Sequence, residues 1–468
     1  MSKDMTDGPV MGSMLRFALP MVLGNLLQQC YNIADTLIVG RFLGANALAA
    51  VGSSFTLMTF LTSILLGLCM GSGTLASIRF GERNQEALQE CVSASFLLIA
   101  GLTLLLNLLA YACLDLIQAF LQVPPEVWED MRAYLLVIFA GIAATFFYNY
   151  YASLLRAVGN STVPLVFLAV SAALNIALDL WFVLGLNRGV AGAAEATVIA
   201  QYASGLGIAL YAWKTAPWLR LRPRSFRVRR SRLGEVANFS VLTCVQQSVM
   251  NLGILLVQGV VNGFGPGVMA AFAAAVKIDA FAYMPVQDFG NAFSTFIAQN
   301  FGARKRERIQ AGLKGAVAAS CGFCVVVSVL VFLFAKQLML IFVEPGETEI
   351  IAEGVRYLRI EGAFYWGIGL LFLLYGLYRA LGKPGMSVVL TVASLGTRVA
   401  LAYLLSPVPA IGVAGVWWAV PIGWVLADLI GIGTYLARRE KLLGEYGEPA
   451  GGKTAFAHSG AEHKKKRP

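Results

Sequence analysis

Four oxygen-bearing side chains lie inside long apolar segments of the sequence: Asp35, Asn175, Asp179 and Thr197. Asn175 and Asp179 are four residues apart, so they would share one face of a helix. Two carboxylates, an amide oxygen and a hydroxyl are ligands that a hard cation such as Na⁺ prefers. Two carboxylates that lie close together in a low dielectric repel each other, so the same set would also suit a proton. The sequence therefore predicts a cation site at these residues and leaves Na⁺ and H⁺ open.

The elements that must position these side chains are apolar segments long enough to cross a bilayer. Hydrophobic residues make up 58% of the chain and charged residues 13%, whereas soluble proteins carry about 25% charged residues. Hydrocarbon requires backbones that satisfy their own hydrogen bonds, which favours helices. We therefore predict an all-α integral membrane protein with twelve transmembrane helices, at residues 14–36, 50–77, 90–112, 133–155, 163–185, 190–212, 235–261, 269–296, 312–335, 355–378, 386–406 and 412–437.

Lysine and arginine residues are concentrated in alternate loops, and this bias predicts the orientation. Twelve spans would put the basic loops and the tail on one side, and the loops around Asp115 and Glu347 on the other. We expect a multi-pass protein of the cell inner (plasma) membrane with both termini in the cytoplasm. The net charge of +10 is explained by this topological bias, and no basic soluble domain suggests nucleic-acid binding.

The second half of the sequence repeats landmarks of the first. Arg156 to Gly159 returns as Arg379 to Gly382, and Gly189 to Gly192 returns as Gly412 to Gly415, both 223 positions later. Six spans in each half would make the repeats parallel, as in transporters whose two lobes enclose the substrate. We predict a six-helix lobe at 1–213, a basic cytoplasmic linker at 214–233, a second six-helix lobe at 234–440 and a disordered cytoplasmic tail at 441–468.

A second copy of the oxygen cluster is not expected in the second half. Leu256 and Ala402 stand at the positions that correspond to Asp35 and Asp179, and Arg398 replaces Asn175. Arg398 could form a structural salt bridge with Glu361 or Asp279, which is the interpretation that we favour. Alternatively, these acids line the substrate cavity. Further cavity candidates are the acid Glu195 and the aromatic residues Tyr148 and Tyr283, because an aromatic face can bind a flat cation.

Several motifs resemble the multidrug and toxic compound extrusion (MATE) family of transporters. They include Phe17 to Pro20, Asp35 with Gly40 and Arg41, Phe80 with Gly81, Arg156 to Gly159, Asn175 to Asp179, and Gly189 to Ala194. The resemblance covers all twelve predicted spans. It implies two six-helix lobes in a V shape and export of cationic, amphipathic compounds driven by Na⁺ or H⁺ entry. It assigns the coupling cation to Asp35, Asn175 and Asp179, with Thr197 beside them, and a bend that changes during transport to Pro20.

The sequence thus predicts a secondary antiporter that exports small organic cations in exchange for Na⁺ or H⁺ by alternating access. We expect a monomer without a cofactor. An enzyme is not expected, because both histidines, His458 and His463, lie in the tail and no nucleotide-binding or metalloprotease motif is present. The alternative is a flippase for lipid-linked oligosaccharides with a related fold. It would need a cationic cavity, but the acids within the spans outnumber the bases.

Overall fold

The computed structural model describes residues 4–121, 125–221 and 229–444, and these residues are helical almost throughout, with no strand among them. The α-helices are α1 (Val10–Phe42), α2 (Ala45–Gly81), α3 (Gln85–Ala112), α4 (Leu114–Leu121), α5 (Pro125–Ile138), α6 (Ile142–Ala157), α7 (Thr162–Asp179), α8 (Gly189–Thr215), α9 (Arg230–Asn262), α10 (Pro266–Gly302), α11 (Arg306–Met339), α12 (Thr348–Gly362), α13 (Tyr365–Ala380), α14 (Pro384–Leu405) and α15 (Val413–Gly444). The predicted all-α fold is confirmed. Part of the predicted linker (222–228) and the tail beyond Gly444 lie outside the described residues.

The predicted twelve spans are recovered with two corrections. Ten helices in the described part of the chain are long and apolar enough to cross a membrane, counting α5 with α6 as one. The predicted tenth span, 355–378, is not a straight helix: α12 and α13 form a pair bent by 51°. If the pair counts as one span, the total is eleven.

The predicted sixth span, 190–212, corresponds to the helix α8. This helix is not among the eleven because it is too polar, and too rich in alanine and glycine, to count as an apolar membrane-spanning helix. It carries Glu195, Thr197, Gln201 and Ser204 within 27 residues. It packs against α5, α6 and α7, so its small residues are covered by protein. This helix therefore belongs to the first lobe through packing rather than through its own apolar surface.

The internal repeat is visible in the backbone conformation. Arg83 after α2 and Arg304 after α10 have φ angles of 56° and 57°, and Gly159 after α6 and Gly382 after α13 have φ angles of 82° and 77°. A residue in this left-handed region commonly ends a helix, and glycine adopts it without steric cost. The two halves therefore end corresponding helices with the same local geometry.

Ion pairs place several helix ends on one face of the molecule, which we call the basic face. Arg83 contacts Asp4 before α1, Arg232 at the start of α9 contacts Glu90 on α3, and Arg306 at the start of α11 contacts Glu440 near the end of α15. The opposite ends of the same helices define the acidic face, which includes the acidic segment between α11 and α12. Each lobe therefore spans from one face to the other.

The two lobes pack tightly where α2 meets α9, in the half of the molecule near the basic face. Gly67 and Gly71 of α2 lie directly against the α9 backbone at Cys244 and Phe239, with no room for a side chain. Arg79 of α2 pairs across the same interface with Glu235 of α9. Small residues permit close approach of helices in lipid, where packing drives association, so this contact joins the lobes over a long stretch.

Replacement of Gly67 by alanine is expected to force α2 and α9 apart. The added methyl carbon would stand 2.5 Å from the Cα atom of Cys244, and because a backbone atom cannot rotate away, overpacking of this kind costs about 1–3 kcal/mol. We expect a thermal midpoint several degrees below that of the wild type in detergent. Gly52→Ala, on the same helix but with no atom within 4 Å of the added carbon, is the matched control. Equal midpoints for the two variants would contradict this packing.

The segment before α1 also joins the lobes at the basic face. The amide of Met5 donates to Gln299 of α10 at 3.0 Å, and the Gln299 side-chain amide donates to the carbonyl of Ala157 in the first lobe at 2.8 Å. Lys305 pairs with Asp7 at 2.7 Å. The hydrogen bond from Lys305 and its positive charge hold the pKa of Asp7 below its usual value. The segment thus closes the seam between the lobes at this face.

The pseudo-equivalent interface, between α1 and α10, is held by polar side chains instead of glycines. The Asn25 side-chain amide of α1 donates to both carboxylate oxygens of Asp288 on α10, at 2.7 and 2.8 Å. With an offset of 221 positions, Asp288 corresponds to Gly67 and Asn25 to Gln246 of α9. One side of the lobe interface is therefore close-packed backbone, and the other is a buried charge-assisted hydrogen bond.

Candidate cation site

The four residues predicted to form a cation site come from three helices of the first lobe. Asp35 lies in the half of α1 near the acidic face, Asn175 and Asp179 lie in the last turns of α7, and Thr197 lies in α8. After Asp179 the chain continues as a π-helical turn from Leu180 to Gly185. Such turns are rare and occur frequently at functional sites. The structure brings all four residues together where α7 packs against α1 and α8.

The cluster consists mainly of hydrogen-bond acceptors. The Asn175 amide nitrogen donates to Thr197 Oγ1 at 3.2 Å, and this hydroxyl donates to the carbonyl of Ala193 at 3.1 Å. Those bonds leave Asn175 Oδ1, both oxygens of Asp179 and Asp35 Oδ1 buried, with no donor within the described residues. The side chain of Asp179 is fully buried, and the carboxyl groups of Asp35 and Asp179 lie against each other. Four buried acceptor oxygens thus converge without a protein donor.

An acceptor cluster of this kind requires a positive charge or a proton. Burying an unpaired carboxylate is very costly, and two adjacent carboxylates cannot both stay charged in a low dielectric. Either one proton shared between the acids or a hard cation bound by the oxygens would remove the penalty. In the described ranges no group of three or more acidic, histidine or cysteine side chains could hold a metal. The residues present therefore fit H⁺ or Na⁺ better than a multivalent metal.

Two tyrosines near the carboxyl pair were not predicted. Tyr31 lies one turn before Asp35 on α1, and Tyr134 of α5 interacts electrostatically with both Asp35 and Asp179. Tyr134 is buried at 7% exposure. The four-residue spacing of Tyr31 and Asp35 was a signal that could have been read from the sequence. Tyr134 could not be found that way, because its proximity depends on how α5 packs.

Two cavity candidates of the first lobe have local partners. Glu195 forms an ion pair with Arg188, at 2.6 Å, at the start of α8. The Tyr148 hydroxyl donates to the carbonyl of Pro164 at 3.0 Å, which joins α6 to the start of α7. Tyr148 also lies near Tyr31. Each side chain therefore has a structural role in the first lobe.

The candidates of the second lobe form a separate buried cluster. Asp279 of α10 and Glu361 of α12 lie next to each other, and the Tyr365 hydroxyl donates to Asp279. Both acids are buried, at 2% and 3% exposure. Tyr283 lies one turn from Asp279 and interacts with it electrostatically. The bend between α12 and α13 brings Glu361 and Tyr365 to the same acid.

The favoured interpretation of Arg398 as a salt-bridge partner is wrong. Arg398 is close enough to Asp279 and Glu361 to interact electrostatically, but it forms no ion pair within 4.0 Å in the described part of the chain, and its Nε is buried without an acceptor. Asp279 instead accepts a hydrogen bond from the Tyr365 hydroxyl. The acids therefore stay together as a cluster beside Arg398.

Pro20 lies inside α1, which continues as one helix from Val10 to Phe42. It stands fifteen positions before Asp35, so Pro20 and Asp35 occupy different halves of the same helix. A proline removes one backbone hydrogen bond within the helix. The bend at Pro20 that changes during transport stays a prediction.

The sequence and the fold match a known class of membrane transporter. The MatE family profile matches residues 20–181 and 243–404, two stretches of equal length whose offset of 223 positions is the repeat found in the sequence. The chain therefore belongs to the MatE family of transporters. It is not an enzyme.

Relatives and solved structures agree with this assignment. The "Probable multidrug resistance protein YpnP" of Bacillus subtilis is 29% identical over 391 residues, covering 84% of this chain and 87% of its own. The "Multidrug export protein MepA" of Staphylococcus aureus is 23% identical, covering 93% and 95%. A structure described as "MATE in the bent conformation" superposes with a TM-score of 0.87 at 24% identity, covering 94% of this chain and 98% of that one. The two-lobe MATE fold is thereby confirmed.

Proposed function

We propose that this chain exports small organic cations across the cell membrane in exchange for Na⁺ or H⁺ that binds between Asp35 and Asp179. The observation that supports the proposal is the cluster of four buried acceptor oxygens without donors at Asp35, Asn175 and Asp179. A cation or a proton would satisfy such a cluster and neutralise its charge, so its binding would convert an unfavourable buried site into a favourable one.

Exchange requires that the cation and the exported compound favour different arrangements of the lobes. The contacts between the lobes that are described above lie in the half of the molecule near the basic face. They extend from the Asn25–Asp288 hydrogen bond to the Met5–Gln299 hydrogen bond at the face itself. The excess of arginine and lysine favours a cytoplasmic position for that face. This arrangement would then be closed toward the cytoplasm, so the cation site would be loaded from outside.

The membrane potential would contribute to the driving force. Each positive charge that moves inward gains about 2.3 kcal/mol per 100 mV, and a monovalent cation that moves outward costs the same amount. The potential would therefore support a concentration ratio of roughly fifty for each coupling charge that enters in excess of the charge exported. The relatives named as multidrug exporters are consistent with small organic substrates.

The proposal is tested with purified protein in proteoliposomes that contain a fluorescent organic cation. An inward Na⁺ gradient and an inward proton gradient are imposed separately, with equal ionic strength and clamped membrane potential. One of the two gradients is expected to drive efflux at least tenfold above protein-free liposomes, and that gradient identifies the coupling ion. If neither gradient moves a panel of organic cations, while the protein remains folded and correctly inserted, cation export is refuted.

A further inference from the structure

A short non-helical segment before α1, residues 4–8, lies across the joint between the lobes at the basic face, and we call it the strap. The strap continues into α1 of the first lobe, yet most of its polar contacts are with the second lobe. Its residues Met5 and Thr6 are both buried, at 2% exposure. Backbone groups outside a helix need partners elsewhere in the protein or in water, so the partners of the strap decide how firmly it is held.

Two basic side chains at the start of α11 bind the main chain of the strap. The Arg308 guanidinium donates to three carbonyl groups of the strap, at 2.8, 3.1 and 3.3 Å, and the Lys305 ammonium donates to the carbonyl of Thr6 at 2.8 Å. Arg308 is itself held in place, because its Nε donates to Asn300 Oδ1 at 3.1 Å and its guanidinium lies 5.7 Å from the ring centre of Phe296. Four consecutive carbonyl groups are therefore bound by cations of the second lobe.

The strap covers the point at which α2 of the first lobe crosses α10 of the second. Gly81 lies directly against the carbonyl of Gln299, and Gly302 lies against the α2 backbone, with no room for a side chain at either position. The Gln299 side chain accepts from the amide of Met5 and donates to the carbonyl of Ala157 in the first lobe. Because Gln299 bonds the strap and the first lobe at once, separation of the lobes at this face must break at least one of the two bonds.

The two basic residues are not part of the internal repeat. With the offset of 221 positions, Lys305 corresponds to Asn84 and Arg308 to Ala87. Asn84 caps the start of α3 by accepting from the amide of Ala87 at 3.0 Å, whereas a lysine side chain has no acceptor atom and cannot form such a cap. The second half thus has a contact to the strap where the first half has a helix cap, and Ala87 shows that this helix start folds without a guanidinium.

The strap is placed where its bonds can break and form again. Asp7 and Gly8 are exposed at the basic face, so carbonyl groups that leave Arg308 become hydrated. A hydrogen bond that is exchanged for one to water contributes only modestly to stability. The Asn25–Asp288 pair differs in this respect, because it is buried within the span.

We propose that the strap is a latch that holds the basic face closed while it is docked on Lys305 and Arg308, and that leaves the seam when this face opens. The proposal rests on the proposed function in one respect, which is that export requires the basic face to open during the cycle. Docking adds the second lobe's contacts to the beginning of α1, so release of the strap and separation of the lobes are coupled and each favours the other.

The first test measures how fast a soluble maleimide labels Met5→Cys in a cysteine-depleted protein in detergent. Position 5 is buried and should react far more slowly than Thr348→Cys, which is exposed. Arg308→Ala should accelerate labelling at position 5 roughly tenfold or more, because one hydrogen bond from a charged donor is worth about that factor. Arg306→Ala is the matched control, because its partner is the exposed Glu440, and it should leave the rate unchanged.

Two outcomes of this test would overturn the latch. Rapid labelling of Met5→Cys without a second substitution would show that the strap is not docked. Equal acceleration by Arg308→Ala and Arg306→Ala would show that positive charge at this face matters and that the bonds to the strap do not.

Hydrogen exchange tests the strap with Met5 in place, so it does not depend on whether the cysteine disturbs docking. The peptide that contains residues 4–8 should exchange slowly in the wild type and in Arg306→Ala, and faster in Arg308→Ala. Equal exchange in all three proteins would contradict the role of Arg308.

Labelling of Ala157→Cys then tests whether the strap holds the lobes together. Ala157 is 1% exposed and lies on the first-lobe side of the seam. Arg308→Ala should accelerate labelling here as it does at position 5, whereas acceleration at position 5 alone would show that the strap undocks without opening the seam and would overturn the latch. None of these measurements uses an exported compound, so their failure is distinguishable from a failure of cation export, which the efflux assay decides.

Discussion

Asp179→Asn is expected to abolish cation-driven efflux in proteoliposomes. The substitution keeps the shape of the side chain, but it removes one negative charge and introduces an amide donor among acceptors that have none. The new donor can satisfy Asn175 Oδ1 or the remaining carboxylate of Asp35, so the cluster no longer needs a cation. Loss of one coupled charge would lower the concentration ratio of the exported compound that the protein can maintain by about fifty-fold at 100 mV, because each charge contributes ~2.3 kcal/mol.

The matched control for this prediction is Asp428→Asn. Asp428 of α15 is also buried, at 3% exposure, and both of its oxygens lack a donor among the described residues. It lies in the second lobe, away from the α1–α7–α8 cluster. If both variants lose efflux equally, the effect reports the loss of any buried acid, and the coupling role of Asp179 fails.

Binding of the exported compound separates coupling from a general structural defect. Asp179→Asn should still bind the fluorescent cation, measured by anisotropy in detergent, with an affinity within a few-fold of the wild type. Addition of Na⁺, or a change in pH, should displace the compound from the wild type but not from the variant. A variant that neither binds nor transports would point to misfolding instead.

Local patterns in the sequence were enough to select four residues of the first lobe that the structure brings together. Residues four positions apart, such as Asn175 and Asp179, lie on the same face of any α-helix. An aspartate within an apolar segment is rare, and this rarity drew attention to Asp35. The repeat offset of 223 positions came from glycine and arginine landmarks, because left-handed helix ends restrict residue type. These features are local, so they need no knowledge of packing.

Features that depend on packing were not predicted. Asn25 and Asp288 are 263 residues apart, and nothing within either helix indicates the other as a partner. The bend between α12 and α13 at Ala363 and Phe364 contains no proline, and its only local signal is Gly362, which does not by itself indicate where a helix bends. The hydrogen bond from Tyr365 to Asp279, and the position of Glu361 beside that acid, depend on the same bend.

Removal of Asn25 alone is expected to release the lobes at the basic face. Asn25→Leu would leave Asp288 buried at 3% exposure without its two hydrogen bonds. Hydrogen bonds to a charged group contribute about 1.5–3 kcal/mol, and an orphaned buried charge costs more. The arrangement with the basic face closed should therefore lose about tenfold or more in population relative to the opposite arrangement.

The change in population can be measured by electron–electron double resonance on a cysteine-depleted protein with spin labels at positions 42 and 262. Both positions are exposed at the acidic ends of α1 and α9, in different lobes. The wild type should show mainly the longer distance, and Asn25→Leu should shift most of the signal to a shorter one. An unchanged distance distribution would show that the hydrogen bond does not hold the lobes.

The double variant Asn25→Leu/Asp288→Leu tests whether the lobes need the hydrogen bond itself or whether apolar contact between α1 and α10 is enough to hold them together. Replacing both partners of a buried polar pair by apolar groups is often neutral, whereas removing one partner is not. The double variant should therefore recover much of the longer distance that Asn25→Leu loses. The opposite interface predicts the same result: at the position equivalent to Asp288 stands Gly67, where α2 and α9 meet through close backbone packing and not through a buried polar pair. Recovery in the double variant would show that apolar contact is sufficient to hold this joint, and that the Asn25–Asp288 pair makes closure on the α1–α10 side depend on both polar partners being present.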